Sequence, residues 1–494
     1  MERVMPESID YQRVLPQSVP AIARRHRYFP QNGNEFNALG SREIRIQIGS
    51  PNCLLDASHS YLECELQNTS ANAMGLDLGG MSALFASCRV EQGGRVLSEC
   101  FSYNRLHASV LSLAQSTRSG VVSDSLTAGG RSNNNIGGLA VAPIGVGQTA
   151  DAYTSQRHNA NNFLGANAGI RLTMPITSGL FTQDKLIPLP LVHPTEPITL
   201  ILRMDNSAQA GCWAGAPGVG SLVVRNICYN AQLIEVGRDV IDQFVRIQDD
   251  FGGTLAISGQ DWEHSADVMP AATAGEHIVR LPVRKRSLKS LFFTCSSSTY
   301  ANGPVGLGPE DCYDLSYCGN GNIDTYQLKV GSVVYPPTPI NCWGDASTPA
   351  AAAHTQRGEC AMELAKAFGS LGWTNPTGYL STISYGTNGI SVLSNGDNID
   401  GAGPPGNAVC PGSSDVISLC PFGLDLEAFQ REALESGIDT ETLSQEANLV
   451  FNVNAITAGP APPLGQSEDK NINMWVLYDQ HYYFNRDGSI TFSN

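Results

Sequence analysis

The sequence predicts an all-β protein made of two antiparallel sandwiches in tandem, and three observations lead there. Apolar and polar residues alternate over short runs in both halves of the chain, the period-two signature of half-buried strands. The 50 glycines and 28 prolines are spread along the chain, as turns between many short strands require. No alternation of strands with long helical patterns appears, so a parallel βαβ sheet is not expected. At 494 residues the chain also exceeds the size at which one core keeps growing.

Residues 1–40 read as an N-terminal arm. Pro6, Pro16, Pro20 and Pro30 interrupt it, and Arg24, Arg25, His26 and Arg27 form a basic knot. Such an arm touches nucleic acid, lipid or a neighbouring subunit, or lies extended across its own domain; the last two are expected. Strand patterning then begins. Ile44, Ile46 and Ile48 alternate with Arg45 and Gln47, and Leu62, Cys64 and Leu66 alternate with Glu63 and Glu65. Leu106, Val110, Leu111 and Leu113 suit a short helix better. Residues 117–170, rich in Ser, Asn and Gly, read as a long exposed insertion. Strands resume with Ile198, Leu200, Leu202 and Met204, and an apolar run over 221–236 closes the first half.

The stretch 237–275 reads as a transition, where charge and Gly253 interrupt the pattern. In the second half, residues 324–340 are the most distinctive. Tyr326, Leu328 and Val330 alternate with Gln327 and Lys329, Gly331-Ser332 turns, and Val333-Val334-Tyr335 starts a second strand. Pro336, Pro337 and Pro339 are expected to stop that strand, because proline has no N–H for a ladder. Helices are expected over 359–368 and over 425–436, the latter ending at Gly437. The close is β again: Leu449, Phe451 and Val453, then Ile472, Met474, Val476 and Tyr478, then a turn at Asp487-Gly488.

Composition narrows function. Charged residues are only 15% of the chain, below the usual quarter. Such a chain hides surface against copies of itself, or carries a loop surface of Ser, Thr, Asn and Gly. A net charge of −16 argues against bulk electrostatic binding of nucleic acid. It leaves room for a local basic patch, and Arg280, Arg284, Lys285, Arg286 and Lys289 form one. That cluster faces a genome or a membrane, forms the outer face of a strand, or meets acidic groups on a neighbour. The 13 cysteines include no CxxC, which points to buried free thiols. The N-terminus lacks the apolar core of a signal peptide, and no run reaches the ~20 apolar residues of a membrane span. Synthesis in the cytosol is expected.

No zinc-protease, P-loop or nucleophile-elbow motif is present. Gly145-Val146-Gly147-Gln148-Thr149-Ala150 matches a loose dinucleotide fingerprint, but no apolar helical stripe follows, so it reads as a surface loop. Asn395, Asp397 and Asp400 depart from calcium-loop spacing and read as turn chemistry. His107 reads as a structural residue. Glu310 and Asp311 could serve a glycosidase only with partners brought in by the fold. No catalytic, cofactor-binding or metal-binding residue is assigned.

Five places resemble the double jelly-roll major capsid proteins of tailless double-stranded DNA viruses, polinton-like viruses and their relatives in particular. They are Leu55-Asp56 through Tyr61-Leu62; Val90-Glu91, Gly94 and Leu97 leading to Tyr103-Asn104 and Leu106; Ser178-Gly179-Leu180 with Leu186-Ile187-Pro188-Leu189; 324–340 with the helix downstream; and Phe422-Gly423 with Glu435-Ser436-Gly437-Ile438-Asp439-Thr440. They occur in the family's order from about residue 55 almost to the C-terminus. The loops 342–358 and 391–415, like 117–170, have no counterpart. The resemblance implies two tandem eight-stranded antiparallel jelly rolls with a few short helices in loops. The arm would span 1–40, the first roll 41–236 and the second 237–494. It further implies a non-enzymatic capsid subunit, made in the host cytosol and located in the virion. Homotrimers of pseudo-hexameric outline would tile an icosahedral shell around DNA, beside minor capsid or penton proteins. Arg24, Arg25 and Arg27, or Arg284, Lys285 and Arg286, are the candidates for contact with a genome or inner membrane. A tandem β-sandwich that binds or acts on carbohydrate is the alternative, and a minor virion or spike protein a third reading.

Overall fold

The computed structural model describes residues 21–111, 163–297, 315, 323–342, 358–371, 421–428, 437–441, 446–453 and 469–493, with short breaks at 72–73, 77–78, 165, 183–184, 208–209, 214–217, 219, 251 and 271–273. The expected insertion at 117–170 lies mostly outside these residues, as do Gly145, Asn395, Asp397, Asp400, Glu310, Asp311 and most of the two unmatched loops.

Strand pairing falls into two sets. The first uses β1 (Ala21–Tyr28), β2 (Glu43–Ile48), β3 (Cys53–Asn68), β4 (Phe85–Gln92), β5 (Arg95–Phe101), β6 (Gly169–Met174), β7 (Ile198–Met204) and β8 (Leu222–Val236). One sheet runs β1-β8-β3-β6 and the other β2-β7-β4-β5. The second set uses β9 (Thr254–Met269), β10 (Gly275–Leu281), β11 (Leu288–Ser297), β12 (Ile323–Val330), β13 (Val333–Asn341), β14 (Phe422–Asp425), β15 (Ala447–Val453) and β16 (Lys470–Asn485). Its sheets run β9-β16-β11-β14 and β10-β15-β12-β13. Within each set the first strand pairs with the last, the second with the seventh, the third with the sixth and the fourth with the fifth, all antiparallel. That is a long hairpin rolled on itself, the connectivity of a jelly roll. Both rolls have the same strand order.

The alternating strands pack as their sequences require. Ile44, Ile46 and Ile48 of β2 are buried while Arg45 stays exposed, and Leu449, Phe451 and Val453 of β15 are buried between the sheets. The second core centres on Phe293 of β11, whose ring lies 4.7 Å from Phe422, 5.2 Å from Tyr326 and 5.2 Å from Phe451. A helix, α2 (Gly358–Ala367), packs beside β14 and β11, with Phe368 stacked 5.2 Å from Phe292. The short helix expected near Leu106 is present as a turn at Tyr103–Arg105 followed by Leu106–Leu111.

Three expectations need correction, and a fourth is sharpened. Residues 21–28 of the arm lie extended across their own domain, one of the two placements expected, but as the first strand of the first roll, held to β8 from Ala21 opposite Val236 to Tyr28 opposite Tyr229. Nearly every β1 side chain is exposed, so backbone pairing and not apolar alternation places it. The prolines at 336, 337 and 339 do not end β13, which runs to Asn341. β13 is an edge strand, and the three prolines fall between Tyr335 and Ile340, where it has no ladder partner on β12, so their missing N–H groups cost no ladder bond. Its register with β12 shifts between Tyr326 and Leu328, and pairing resumes at Ile340 and Asn341. The transition at 237–275 holds two regular elements, α1 (Arg238–Asp250) and β9. Asp425, the first residue of the helix expected over 425–436, is the last residue of β14, and 429–436 lie outside the described residues.

Candidate functional site: the seam between the rolls

The two rolls meet along a buried polar seam. From the first come Gln92 at the end of β4, Leu97 and Ser98 on β5, and the turn at Ser178 and Gly179. From the second come Asp261 on β9, Gln480 and Tyr482 on β16, and the turn at Gly488. Gln92 spans the seam with both ends of its amide: Nε2 donates to the Gly488 carbonyl at 2.7 Å, and Oε1 accepts from the Ile490 N–H at 2.6 Å. The His193 N–H also donates to the Gly488 carbonyl, at 2.9 Å. Gly488 has φ of +81°, and a Cβ there would lie 2.7 Å from the His193 nitrogen. Gln480 Nε2 reaches the Leu97 carbonyl at 3.3 Å, and the Tyr482 hydroxyl donates to Gln480 Oε1 at 3.0 Å.

Asp261 is the centre of the seam and is only 1% exposed. Its Oδ1 accepts from the Ser98 hydroxyl at 2.8 Å, the Gly179 N–H at 3.0 Å and the Trp262 N–H at 2.9 Å. Its Oδ2 accepts from the Tyr478 hydroxyl at 3.4 Å. Burial pushes the Asp261 carboxyl up to about 6, against the pull of these donors and of Lys285. The same burial raises the Tyr478 and Tyr482 hydroxyls well above the usual tyrosine value. A side chain at Gly179 would strike the Tyr482 hydroxyl and sit 2.7 Å from Asp261 Cγ. The close approach of the rolls therefore requires glycine there.

No protein-family model matches the chain, and no curated protein sequence does. Solved structures match at full length. Over 98% of this chain and 99% of the other, it superposes on a chain of the PBCV-1 virus capsid with a TM-score of 0.55 at 10% identity. The Faustovirus major capsid protein gives 0.53 at 8% identity over 95% and 91% of the two chains. A chain of the Sputnik virophage gives 0.51 at 11% identity over 100% and 93%. The chain is a double jelly roll. At these identities the likeness establishes the fold of this chain.

Within the double jelly roll, the basic residues singled out in the sequence are distributed by their partners. On β1, Arg24 meets Glu235 at 2.8 Å, and Arg25 and Arg27 share Glu63 at 3.6 Å each. All three keep half or more of their side chains exposed. The second cluster is not one surface. Lys285 turns inward, with Nζ 3.0 Å from Glu263 and 3.9 Å above the Tyr478 ring, so it is not a surface contact for genome or membrane. Lys289 is buried against Glu427 and Asp479. Arg284 is exposed, Arg286 lies 3.6 Å from Glu441, and Arg280 meets Glu446 at 2.9 Å.

Other polar groups are structural in their geometry. His107 packs 4.5 Å from the Tyr103 ring, bonds Thr177 Oγ1 at 2.6 Å, and is pushed down to about 4 by burial, which keeps it neutral. Asp56, Ser58 and His59 sit together on an irregular stretch of β3, but the carboxylate and the hydroxyl both bond His59 Nδ1, at 2.8 and 3.1 Å. A base needs its second nitrogen on the nucleophile, so this trio is no relay. A cavity of about 610 Å³ lies between β13 and the segments 425–428 and 437–439, lined among others by Tyr335, Asp425, Glu427 and Asp439. Among the described residues no three His, Cys, Asp or Glu side chains converge as a metal site. Among the described residues Cys64, Cys88, Cys100, Cys228 and Cys295 are buried and Cys53 is half-buried, and burial raises the Cys88 thiol to about 12. Among the described residues no helix is long and apolar enough to cross a membrane.

The sequence singled out Ser178-Gly179 and Gly488 as motif and turn, but not Asp261, Gln92 or Gln480 as their partners. Those contacts join residues 82 to 398 positions apart. The one local signal was a strand-length run with a carboxylate beside a tryptophan, at Asp261-Trp262.

Proposed function

We propose that the chain is a major capsid subunit that assembles as a homotrimer of pseudo-hexameric outline and tiles an icosahedral shell. One observation carries this reading: two rolls of identical strand order are fixed side by side by a buried seam. A block with two similar bodies gives a closed threefold assembly six similar corners, a shape that fills a surface. The full-length likeness to chains of viral capsids supports it, and the low charge fraction suits large apolar contacts between copies. The role is structural, and its place is the virion around a DNA genome. Minor capsid or penton proteins would fill the remaining contacts of the shell.

Contact with a genome or inner membrane would fall to Arg24, Arg25 and Arg27, or to Arg284 and Arg286; Lys285 is spent on Glu263 and Tyr478. Light scattering of the purified chain at micromolar concentration tests the main reading. A mass of three times 52.7 kDa is expected, and a monomer throughout would sink it.

A further inference from the structure

Lys289 on β11, Asp479 on β16 and Glu427 just after β14 converge in the sheet of the second roll. Lys289 Nζ lies 3.2 Å from Asp479 Oδ1 and 3.1 Å from Glu427 Oε1. Their side chains are 8%, 14% and 1% exposed. The pairing of β11 with β16 shifts register between Leu288 and Ser290, so Lys289 stands at an irregularity in the ladder, beside Asp479. Its carbonyl accepts the Leu426 N–H at 2.8 Å, which sets Glu427 next to it. The Ser287 hydroxyl donates to Asp479 Oδ2 at 2.7 Å, and the Asp479 N–H donates to the Ser287 carbonyl at 3.1 Å. The carboxyl is thus held from behind with Oδ1 facing the amine.

We propose that Lys289 and Asp479 condense into a side-chain amide bond in the mature protein, with Glu427 carrying the proton. The ammonium first passes a proton to Asp479, leaving a neutral amine against a neutral carboxyl. The amine nitrogen attacks Asp479 Cγ. Glu427 then takes a proton from that nitrogen and gives it to the departing hydroxyl, which leaves as water. One C–N bond forms, one C–O bond breaks, one water is lost, and Glu427 ends as it began; no oxidant or co-reactant is needed. Three features favour the step. The reacting groups are held in contact, which replaces an encounter by a fixed geometry. A buried ammonium and carboxylate are costly to desolvate, and the amide removes both charges. The third group, a carboxylate, touches the amine and is itself out of water. The bond would tie two neighbouring strands of one sheet across a chain segment running from 289 to 479, independently of the capsid reading.

Intact mass spectrometry of the full-length protein tests this. The wild-type chain is expected to weigh one water less than its sequence. Proteolysis should then release a branched peptide joining the segments around Lys289 and Asp479. Lys289→Arg and Glu427→Gln, checked for folding by circular dichroism, should return to full mass. Asp479→Asn should lose ammonia in place of water, which marks the position of the bond even where other variants misfold. A wild-type chain at full sequence mass, with linear peptides for both segments, overturns the proposal. A folded Glu427→Gln chain that still loses water overturns the part given to Glu427.

Discussion

Asp261 holds the rolls together with a charge that its surroundings disfavour. An unfolded aspartate ionises near 3.8 and this one near 6, so between those values the folded state binds the proton more readily. Stability from this group is full below about pH 4 and is lost as pH rises through about 6, by about 3 kcal/mol in all. Asp261→Asn keeps an oxygen for Ser98, Gly179 and Trp262 but carries no charge. Its melting temperature should gain on the wild type at pH 7.5 relative to pH 5; a difference that is the same at both pH values would contradict this. Gly179 gives a second residue-scale test. Gly179→Ala should cost about 1–3 kcal/mol in denaturant unfolding, the usual range for overpacking. Adding Tyr482→Phe removes the hydroxyl that the new methyl strikes, so the pair should be less destabilised than the two separate losses predict. Strict additivity would mean the clash is absorbed elsewhere.

At the scale of elements, what the sequence revealed depended on what each strand faces. β2, β12 and β15 put one face in a core and one outside, so their alternation was plain. β9 was hidden because its inward face carries Asp261 toward the other roll, and a polar residue on a buried face reads as solvent. β1 was hidden for the opposite reason, since neither face is buried. α1 carries Val240, Ile241, Phe244 and Val245 at helical spacing and was legible, but its charged residues outweighed that pattern. β13 misled through its prolines, which stop a central strand and suit an edge. On an edge they also deny partners to any strand that approaches. Replacing Pro336, Pro337 and Pro339 together by valine should leave the circular dichroism spectrum unchanged and raise aggregation in light scattering. No change in aggregation would assign the edge's protection to other residues.

For the whole molecule, the sequence yielded the class, the two halves and most strands, but not their equivalence. The rolls share no readable sequence, and yet the same pairings recur. Alternation reports which face a residue takes and not which strand lies beside it. The seam was least legible, because its partners are hundreds of positions apart and each, taken singly, is an ordinary polar residue. The threefold assembly belongs to this scale as well, and its measured mass decides it.

The pairing of first strand with last also fixes an order of events during synthesis. β1 is made at the start, but its partner positions run from Tyr229 to Val236. At about 5–20 residues per second on the ribosome, β1 waits on the order of 10–40 s for them. Throughout that interval it is a nascent strand with both edges open. Arg24, Arg25 and Arg27 likewise gain Glu235 of β8 and Glu63 of β3 as partners when the roll closes, so the strand's backbone and its charges are satisfied in one late step.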